Sequence, residues 1–259
     1  MTTVAELPAV SLAELDATAG LLTRVDRKYV VPAVDLDALL LADPGARVLE
    51  IEGRRSLRYE STYLDTVDLD SWIGAAHRRR RRWKVRTRWY ADTGQRWLEV
   101  KTRGPRGTTV KERIPHDQDP DEVPAGSASW VRERFAAAHI DAVDPLGLVA
   151  TLRTDYRRTT LLLADGRGRV TLDSDLTWTS AHGAVGVKDL LVVETKSATP
   201  APGQLDRRLW SLGHRPVRIS KYGTGLALLT PDLQRNRWHR VTSRHLVPHL
   251  TLISTGAPA

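Results

Sequence analysis

Residues 78–90 read RRRRRWKVRTRWY, and the interpretation of the whole chain begins from them. Eight of these thirteen residues are basic and none is acidic. In the second half Lys84, Arg86 and Arg88 alternate with apolar or neutral residues such as Val85. Successive side chains of a β-strand point to opposite faces, so this alternation predicts a strand with one cationic and one largely apolar face. Like charges on one face repel each other, and we therefore expect an anion among them.

The chain as a whole carries an excess of positive charge. Its 259 residues include 39 Lys and Arg against 31 Asp and Glu, which gives a net charge of +8 and a pI near 10.0. This balance favours anionic partners such as nucleic acid, a membrane surface or phosphate-rich small molecules. The absence of cysteine excludes disulfides, thiolate zinc sites and cysteine nucleophiles. No signal-peptide pattern and no apolar run of roughly 20 residues is present, so a soluble, cytoplasmic protein is expected.

The same alternation recurs in other parts of the chain. Glu99 and Lys101 alternate with apolar residues in one predicted strand, and Lys111 and Arg113 do so in the next. Gly223–Gly225 is interpreted as a turn or a helix start, because it lacks the flanking pattern of a phosphate loop. Eight strands are predicted, at residues 24–31, 57–65, 81–90, 96–103, 109–114, 155–163, 168–173 and 188–196. Helices are predicted at residues 11–22, 34–42, 127–139 and 200–213, and a helical and then irregular segment begins at residue 226.

These elements predict an α+β fold, an eight-stranded antiparallel β-barrel (tunnel) with flanking helices. Eight antiparallel strands close into a barrel wide enough for one ligand. We expect the charged faces to line the tunnel and the helices to cover the apolar faces from outside. A buried ion costs several kcal/mol, so about a dozen cations in a dry interior would exceed the about 5–15 kcal/mol that stabilises a domain. The tunnel must therefore be wet and open to a polyanion.

Nine short motifs occur in an order that resembles a known family. They are Arg27-Lys28-Tyr29, Tyr63-Leu64-Asp65-Thr66, Lys84-Val85-Arg86-Thr87-Arg88, Leu98-Glu99-Val100-Lys101, Lys111-Glu112-Arg113, Tyr156-Arg157-Arg158, Arg169-Val170-Thr171-Leu172-Asp173, Glu194-Thr195-Lys196 and Ser220-Lys221-Tyr222. Together they resemble the VTC domain, the polyphosphate polymerase module named for the vacuolar transporter chaperone. That domain belongs to the triphosphate tunnel metalloenzymes, alongside the CYTH-type triphosphatases.

The resemblance covers about residues 21–226, which we expect to form a VTC-like triphosphate tunnel domain. Residues 1–20 are expected to be an N-terminal tail and the start of a short helix. Residues 227–259 are expected to be a C-terminal helical or irregular extension packed on the same domain. We expect neither the phosphate-sensing domain that precedes this module in fungal relatives nor a membrane anchor.

The resemblance implies basic tunnel walls that hold a nucleoside triphosphate and a growing phosphate chain. Glu194 is implied to hold a divalent metal, Mn²⁺ or Mg²⁺, because these ions prefer carboxylate and phosphate oxygens; Glu99 is a secondary candidate. The residues assigned to catalysis are Lys28, Arg86, Arg88, Arg158 and Lys221. Nine further residues in or beside the matched motifs are assigned to binding of substrate phosphate. They are Lys84, Lys101, Lys111, Arg113, Tyr156, Arg169, Lys196, Arg218 and Ser220.

The sequence departs from its relatives in three places. Arg24-Val25-Asp26-Arg27-Lys28 stands where CYTH enzymes have Glu-x-Glu-x-Lys, so a multi-carboxylate metal cage is absent or incomplete, which favours the VTC branch. Arg218 stands where lysine is expected, which keeps the charge and changes the geometry. Strict alternation puts Lys221 opposite Ser220, so an inward Lys221 requires a bend near Tyr222.

Some of these features also have a simpler structural interpretation. Arg78–Arg81 is expected to be a solvated loop or a tunnel rim. Glu194 alone would neutralise Lys196 or a neighbouring arginine. His245 and His249 have zinc-like spacing, but the proline between them interrupts the helix that would align them, so they are expected at the surface.

The expected reaction is transfer of the γ-phosphoryl group of ATP to the end of a polyphosphate chain. Phosphoryl transfer depends mostly on positioning and charge stabilisation, and a terminal phosphate oxygen is already anionic, so no general base is required. Two alternatives stay open: a tunnel-type triphosphatase that hydrolyses inorganic or nucleoside triphosphate, and a non-catalytic polyanion-binding module. Nucleic acid is not expected, because Trp83, Trp89 and Trp97 are assigned to the face opposite the cations. The acceptor, the oligomeric state and a membrane-protein partner that takes the product away stay open.

Overall fold

The structure is a computed structural model that describes residues 3–20, 25–104, 108–166, 168–233 and 236–253. Within these ranges the chain forms twelve strands and seven α-helices. The strands are β1 (Ala9–Val10), β2 (Val25–Pro32), β3 (Arg47–Leu49), β4 (Leu57–Asp65), β5 (Lys84–Tyr90), β6 (Gln95–Arg103), β7 (Thr109–Pro115), β8 (Val149–Leu162), β9 (Gly168–Ser180), β10 (Gly183–Val187), β11 (Leu190–Ser197) and β12 (Leu250–Leu252). The helices are α1 (Leu12–Ala19), α2 (Leu36–Leu40), α3 (Asp70–Ala76), α4 (Ala125–Ala137), α5 (Gln204–Ser211), α6 (Lys221–Leu229) and α7 (Asn236–Val241).

The strands form a large, mostly antiparallel sheet, which confirms the predicted α+β class with flanking helices. The strand order is β12-β10-β9-β8-β4-β5-β6-β7, with β11 between β9 and β2, and with β3 between β8 and β1. The hydrogen-bonded path of the described strands is not closed. All eight predicted strands are present, and β1, β3, β10 and β12 are additional. Of these, β1, β3 and β12 are two or three residues long, too short for an alternating pattern to identify them.

The chain divides into two compact units. Unit 1 comprises Met1–Arg58, Tyr156–Leu176 and Val187–Ile219, and unit 2 comprises Tyr59–Asp155, Thr177–Gly186 and Ser220–Ala259. In the described ranges no helix is both long and apolar enough to cross a membrane. The glycines between the predicted strands indicate turns at residues 104–107 and 165–168. Parts of both turns, and Arg24, lie outside the described residues.

In unit 1 the helices α2 and α5 pack on the apolar faces of β2, β9 and β11. Tyr29, Val170 and Val193 contribute strand side chains to this core, and Leu205 and Leu209 contribute one face of α5. Leu205 and Leu209 are four residues apart, which places both on the same side of the helix. Fully burying a side chain of this size contributes about 1.5–3 kcal/mol, so α5 is held by packing.

The carboxylate of Asp206 organises hydrogen bonds inside this core. It is 2% exposed and accepts from the Tyr29 hydroxyl at 2.7 Å and from the Thr195 hydroxyl at 2.8 Å. The Gly203 amide donates to its second oxygen at 2.9 Å, which caps α5. Burial, and then the negative charge of Asp206, raise the pKa of Tyr29. The apolar sides of β2 and β11 are therefore fixed, and Lys28 and Glu194 lie on the other side of the same strands.

In unit 2 the helix α4 packs on the apolar faces of β5 and β6. Val85 and Leu98 are fully buried with Val131 and Phe135 of the helix, and the rings of Trp83 and Phe135 are 5.0 Å apart. This confirms the expectation that a helix covers the apolar face of the arginine strand. The cationic side chains of β5 consequently project from the opposite face of the sheet.

The N-terminus of α1 forms as the sequence predicts. The Ser11 side chain accepts from the Glu14 amide at 3.2 Å, which satisfies a donor that the first helical turn leaves unpaired. The predicted helix extends to residue 22, whereas α1 ends at Ala19 and residues 21–22 lie outside the described ranges. Helix α3 is an addition, since the pattern around Trp72 predicts only a hydrophobic turn.

Gly223 and Gly225 lie inside α6, where their lack of side chains lets two tryptophans approach. A Cβ added at Gly225 would overlap the indole of Trp178, and one at Gly223 would overlap that of Trp238. Trp178 also donates from Nε1 to the Lys221 carbonyl at 2.8 Å. The glycines therefore serve close packing of the helix.

We predict that Gly225→Ala destabilises the protein by about 1–3 kcal/mol, because overpacking outweighs the about 1 kcal/mol by which alanine favours a helix. Gly126→Ala is the matched control, since a Cβ at Gly126 in α4 meets nothing within 4 Å. That control is expected to be neutral or stabilising by up to about 1 kcal/mol. Urea denaturation measures both values, and equal changes in the two variants would contradict the packing role.

Candidate anion-binding site

Apart from Arg96, the cationic residues of β5, β6 and β7 lie on one face of the sheet in unit 2. Residues directly opposite each other on paired strands share a face, and Lys84 is opposite Lys101, which is opposite Lys111. The next row joins Arg86, Glu99 and Arg113 in the same way. On these three strands this face carries one carboxylate, that of Glu99. Its seven cations are Lys84, Arg86, Arg88, Lys101, Arg103, Lys111 and Arg113.

Glu99 is the central counter-ion of this face. Its side chain is fully buried; Oε2 accepts from Arg86 Nε at 2.7 Å and Nη2 at 2.5 Å, and Oε1 lies 2.5 Å from Lys111 Nζ. Burial acts to raise the pKa of Glu99, but the charges of Arg86, Arg88 and Lys111 outweigh it and hold that pKa well below its ordinary value. Glu99 is therefore ionised and occupied by ion pairs, and its secondary role in metal binding stays a prediction.

Tyr63 and Tyr222 belong to this face and are not among the predicted site residues. Tyr63 lies opposite Arg86 on β4, and Arg86 Nη1 donates to its hydroxyl oxygen at 3.2 Å. The Tyr63 and Tyr222 rings stack with centroids 4.9 Å apart. Burial would raise the pKa of Tyr63, but Arg86, Arg88 and Lys221 lower it below its ordinary value. The Tyr63 hydroxyl consequently lies among cationic groups.

Arg88 is fixed by neighbours on β4. It is 7% exposed, its Nε donates to Ser61 Oγ at 3.1 Å, and its guanidinium lies 5.5 Å from the centre of the Tyr59 ring. Ser61 lies opposite Arg88 in the register. Counting alternate residues along β4 places Tyr59, Ser61 and Tyr63 on the cationic face, so the signal that would have found them is present in the sequence.

The N-terminus of α6 brings Ser220 and Lys221 to the same part of unit 2. Ser220 is the helix cap: its hydroxyl accepts from the Gly223 amide at 3.2 Å and from Lys84 Nζ at 2.8 Å. The chain changes from extended to helical between Ser220 and Lys221, which supplies the bend that an inward Lys221 requires. Lys221 is close enough to Tyr63 for its charge to lower the pKa of the phenol.

A buried carboxylate holds Tyr222 in place. The Tyr222 hydroxyl donates to Asp65, which also accepts from the Ser71 amide at 2.8 Å and the Trp72 amide at 2.9 Å. Burial raises the pKa of Asp65 although these hydrogen bonds act in the opposite direction. Asp65 therefore connects the start of α3 to the start of α6 and positions the ring on which Tyr63 stacks.

The second basic cluster lies in unit 1, on β2, β9 and β11. Glu194 is opposite Lys28 on one side and Thr171 on the other. Its oxygens lie 3.1 Å from Lys196 Nζ and 3.9 Å from Lys28 Nζ. Burial acts to raise the pKa of Glu194, but Lys28, Lys196 and Arg158 hold it well below its ordinary value. Glu194 is thus an ionised carboxylate surrounded by cations, in agreement with the simpler interpretation.

Arg158 forms a two-point ion pair in the same unit. Its Nε and Nη2 donate to the two oxygens of Asp173 at 2.6 and 2.8 Å, and Asp173 is 2% exposed. The Arg158 guanidinium also lies 5.3 Å from the centre of the buried Tyr156 ring. Asp173 is part of a matched motif but has no predicted role; it fixes the orientation of Arg158.

The remaining predicted residues lie farther toward the surface. Arg169 is half-buried and lies 3.5 Å from Asp16, and Arg218 is exposed. Arg113 is exposed on β7, and its guanidinium lies 4.2 Å from the centre of the Trp97 ring. In unit 2 the structure thus brings together Arg86, Arg88, Lys111, Lys84, Lys221 and Ser220, and in unit 1 it brings together Lys28, Lys196, Glu194 and Arg158.

Trp97 corrects one prediction. The sequence interpretation assigns it to the face opposite the cations, but it lies opposite Arg88 in the register and shares the parity of Glu99. Trp97 therefore belongs to the cationic face, and the predicted assignment is wrong because it miscounts the alternation along β6. Trp83 and Trp89 have the parity of Val85, as predicted.

A divalent metal fits this donor set only together with phosphate oxygens. Among the described residues no group of three or more His, Asp or Glu side chains could hold a metal ion. Glu194 contributes one carboxylate, and Mg²⁺ is commonly bound by one or two carboxylates plus substrate phosphates. His245 and His249 belong to no such group and are half-buried. The residues present are thus compatible with a metal that the substrate helps to bind, and the assignment of Glu194 as its protein ligand stays a prediction.

Two lysines of these clusters titrate near physiological pH. Burial lowers the pKa of Lys196 to about 8 and that of Lys111 to about 8, against the opposing charges of Glu194 and Glu99. A bound phosphate raises both pKa values again, because it favours the ammonium form. The protonated lysines favour binding below pH 8, and this contribution is lost as the pH rises through about 8.

We therefore predict that tripolyphosphate binding at about pH 8.5 takes up protons, and that affinity falls above that pH. Calorimetry in two buffers of different ionisation enthalpy measures the uptake. The variant Lys111→Arg/Lys196→Arg is the control, since arginine does not titrate in this range. The ligand titrates equally in both experiments, so the difference in proton uptake between the two proteins is due to the lysines. Equal proton uptake by the two proteins would contradict the prediction.

The fold and these clusters together define a class of protein. A large antiparallel sheet with cation-rich faces, each containing a carboxylate fixed by lysine and arginine, is a domain built to bind phosphate-rich anions. The sequence profile of the VTC domain family matches residues 23–230, and the chain belongs to that family.

Several solved structures are similar to the chain at low sequence identity. A candidate adenylate cyclase from Bacillus halodurans has a TM-score of 0.49 at 12% identity, covering 76% of this chain and 94% of its own. A candidate adenylyl cyclase from Hippeastrum, described as having a dominant triphosphatase activity, has a TM-score of 0.47 at 15% identity, covering 83% and 100%. The PH1012 protein of Pyrococcus horikoshii OT3 has a TM-score of 0.40 at 14% identity, covering 74% and 88%. Curated proteins gave no match to the chain.

Proposed function

We propose that this protein is a polyphosphate polymerase that transfers the γ-phosphoryl group of ATP to the end of a growing polyphosphate chain. The observation that carries the proposal is the face of β5, β6 and β7, which presents seven cations against the single carboxylate of Glu99. Such a face is stable when it binds a polyanion, because the phosphates replace like-charge repulsion with attraction. Membership of the VTC domain family supports the same function.

In this reaction the bond between the γ-phosphorus and its bridging oxygen breaks, and a terminal oxygen of the acceptor chain forms the new bond. ADP leaves, and the chain grows by one phosphate. The attacking oxygen is anionic near neutral pH, so no side chain has to remove a proton. The protein's contribution is therefore to align the two phosphate groups and to stabilise the charge of the transition state.

Arginine and lysine have different tasks in this proposal. Arg86, Arg88 and Arg158 bind pairs of phosphate oxygens, because the guanidinium group matches that geometry. Lys28 in unit 1 and Lys221 in unit 2 act as compact charges that each pair with phosphate oxygens. Asp173 and Glu99 hold two of the arginines in fixed orientations, which reduces the reorganisation needed when the substrate binds.

A divalent ion, Mn²⁺ or Mg²⁺, would be held by Glu194 and would neutralise charge on the phosphate oxygens. The proposed partners are ATP and polyphosphate, and a cytoplasmic location is expected. Nucleic acid is not proposed as a partner, since the cations are explained by phosphate chains alone.

A product gel tests this proposal. Purified protein with ATP and Mn²⁺ is expected to form a ladder of polyphosphate lengths, and Arg158→Ala is expected to abolish it. Arg157→Ala is the matched control, because Arg157 is the preceding residue of β8 and is exposed on the other face. Free phosphate without a ladder would instead identify a triphosphatase, and binding without turnover would identify a polyanion-binding module.

A further inference from the structure

The loop that precedes β5 carries the longest basic run of the chain, Arg78–Arg82. Helix α3 ends at Ala76 with His77 as its C-cap, and Arg78 adopts the left-handed conformation with φ 55°. The amides of Arg78 and Arg79 donate to carbonyls of the last helical turn at 3.3 and 2.9 Å. This arrangement is a common helix C-terminus, and it directs the following residues away from the helix.

Both ends of this loop are anchored in unit 2. The helix end holds Arg78, and at the other end the Trp83 carbonyl accepts from the Ser71 hydroxyl at 2.6 Å. The Trp83 side chain is 4% exposed and packs on Phe135. The arginines thus project from a fixed segment, which lowers the entropy lost when they bind a ligand.

The charge of this loop is not neutralised by the protein. Arg78, Arg79, Arg80 and Arg81 are exposed, and none of them forms an ion pair with any residue that the structure describes. Arg82 is half-buried; burial, and then the charge of Arg103, lower the pKa of Arg82. A loop that only contacts solvent does not require five arginines next to the further positive charge of Arg103. This density of positive charge indicates a polyanionic ligand.

The loop also continues the basic face of β5. Arg82 precedes β5, and Arg103 at the end of β6 is close enough for its charge to lower the pKa of Arg82. The basic run Arg78–Arg82 therefore leads directly into the cationic strand β5. The four residue steps from Lys84 to Arg88 alone span roughly 13 Å of extended chain, which is long compared with a single phosphate group.

We propose that Arg78–Arg82 form a subsite for the distal part of an inorganic polyphosphate chain, whose end is bound at the basic face of β5–β7. This inference rests on the proposed function, and it specifies which part of the protein binds the polyphosphate beyond its reacting end. The loop exposes no aromatic side chain on which bases stack, and this favours an inorganic chain over nucleic acid. Its binding energy comes from phosphate charge and counter-ion release.

Equilibrium binding of long-chain inorganic polyphosphate and of tripolyphosphate tests the subsite in the full chain. The variant Arg79→Gln/Arg80→Gln/Arg81→Gln is expected to bind the long chain roughly tenfold more weakly and tripolyphosphate within about twofold of the wild type. The slope of log affinity against log salt for the long chain is expected to fall by about 2, because each phosphate neutralised by an arginine contributes roughly 0.7 to that slope. The control is Arg132→Gln/Arg153→Gln/Arg157→Gln, which removes the same charge from exposed arginines elsewhere.

Each outcome of this experiment either supports or overturns the polyphosphate subsite at Arg78–Arg82. Equal reductions in affinity for both ligands, or an equal reduction in the control, would mean that net charge alone matters and would overturn the subsite. An equal or larger reduction for a single-stranded oligonucleotide would assign the loop to nucleic acid and would overturn it too. The measurement needs no turnover, so a wild type that makes no ladder defeats the polymerase proposal and leaves the binding result to be judged separately.

Discussion

Glu99→Gln is expected to lower the free energy of unfolding by about 3–5 kcal/mol, the usual cost of removing one partner of a buried ion pair. The Glu99 side chain is fully buried, and Arg86 and Lys111 both contact it. Without its charge the two cations and the nearby Arg88 repel each other in a partly buried setting. Urea denaturation at pH 7 measures the change.

The control for this substitution is Glu112→Gln on β7. Glu112 faces the other side of the strand, is exposed and pairs with Arg134 at 3.3 Å, so its removal is expected to cost about 0–1 kcal/mol. Tripolyphosphate added to the Glu99→Gln protein is expected to restore stability, because a bound anion stabilises the native state by linkage. Equal destabilisation in the two variants, or no rescue by the anion, would contradict the role given to Glu99.

Glu194→Gln is expected to lower kcat by roughly 10²–10³-fold while tripolyphosphate binding is retained or strengthened. The substitution keeps the shape of the side chain and removes the charge proposed to hold the metal. It also removes a negative charge beside Lys28 and Lys196, so the affinity for an anion does not fall. Steady-state kinetics and calorimetry with tripolyphosphate separate these two effects.

Glu133→Gln serves as the control for that experiment, since Glu133 is exposed on α4 and pairs with Arg134 at 2.8 Å. It is expected to leave both kcat and binding unchanged. An active Glu194→Gln enzyme would mean that Glu194 acts only as the counter-ion of Lys196, which is the simpler interpretation of the contact between them.

The two basic clusters have the same arrangement, in which one carboxylate lies among several cations. In unit 2 a carboxylate is held by Arg86 and Lys111, and in unit 1 the carboxylate of Glu194 is held by Lys196 and Lys28. One acidic group among several cations orients them and reduces their repulsion, yet it leaves the face positive. Each cluster therefore keeps an excess of positive charge that attracts phosphate.

Alternation along the strands is sufficient to predict much of this fold. The charged and apolar faces of β5 and β6 and the helix α4 on the apolar side follow from local sequence, because a strand or helix with one apolar face has to bury it. The same rule, applied to β4, adds Ser61 and Tyr63 to the site. The misplacement of Trp97 is likewise an error of counting.

Other features depend on contacts that no local pattern encodes. Tyr222 reaches Asp65 over 157 residues of sequence, and Arg158 pairs with Asp173 on the next strand. The sequence around Gly225 predicts a turn or a helix start, and α6 begins there, but the contact of Gly225 with the indole of Trp178 depends on the fold. Tertiary packing decides these positions, so sequence alone could not supply them.

A crystal structure with inorganic tripolyphosphate and Mn²⁺ tests most directly the claim that the face of β5–β7 binds phosphate. We predict phosphate oxygens within about 2.7–3.2 Å of the Arg86 and Arg88 guanidinium groups. An anion bound elsewhere, with Arg86 and Arg88 contacting only protein groups, would contradict that claim.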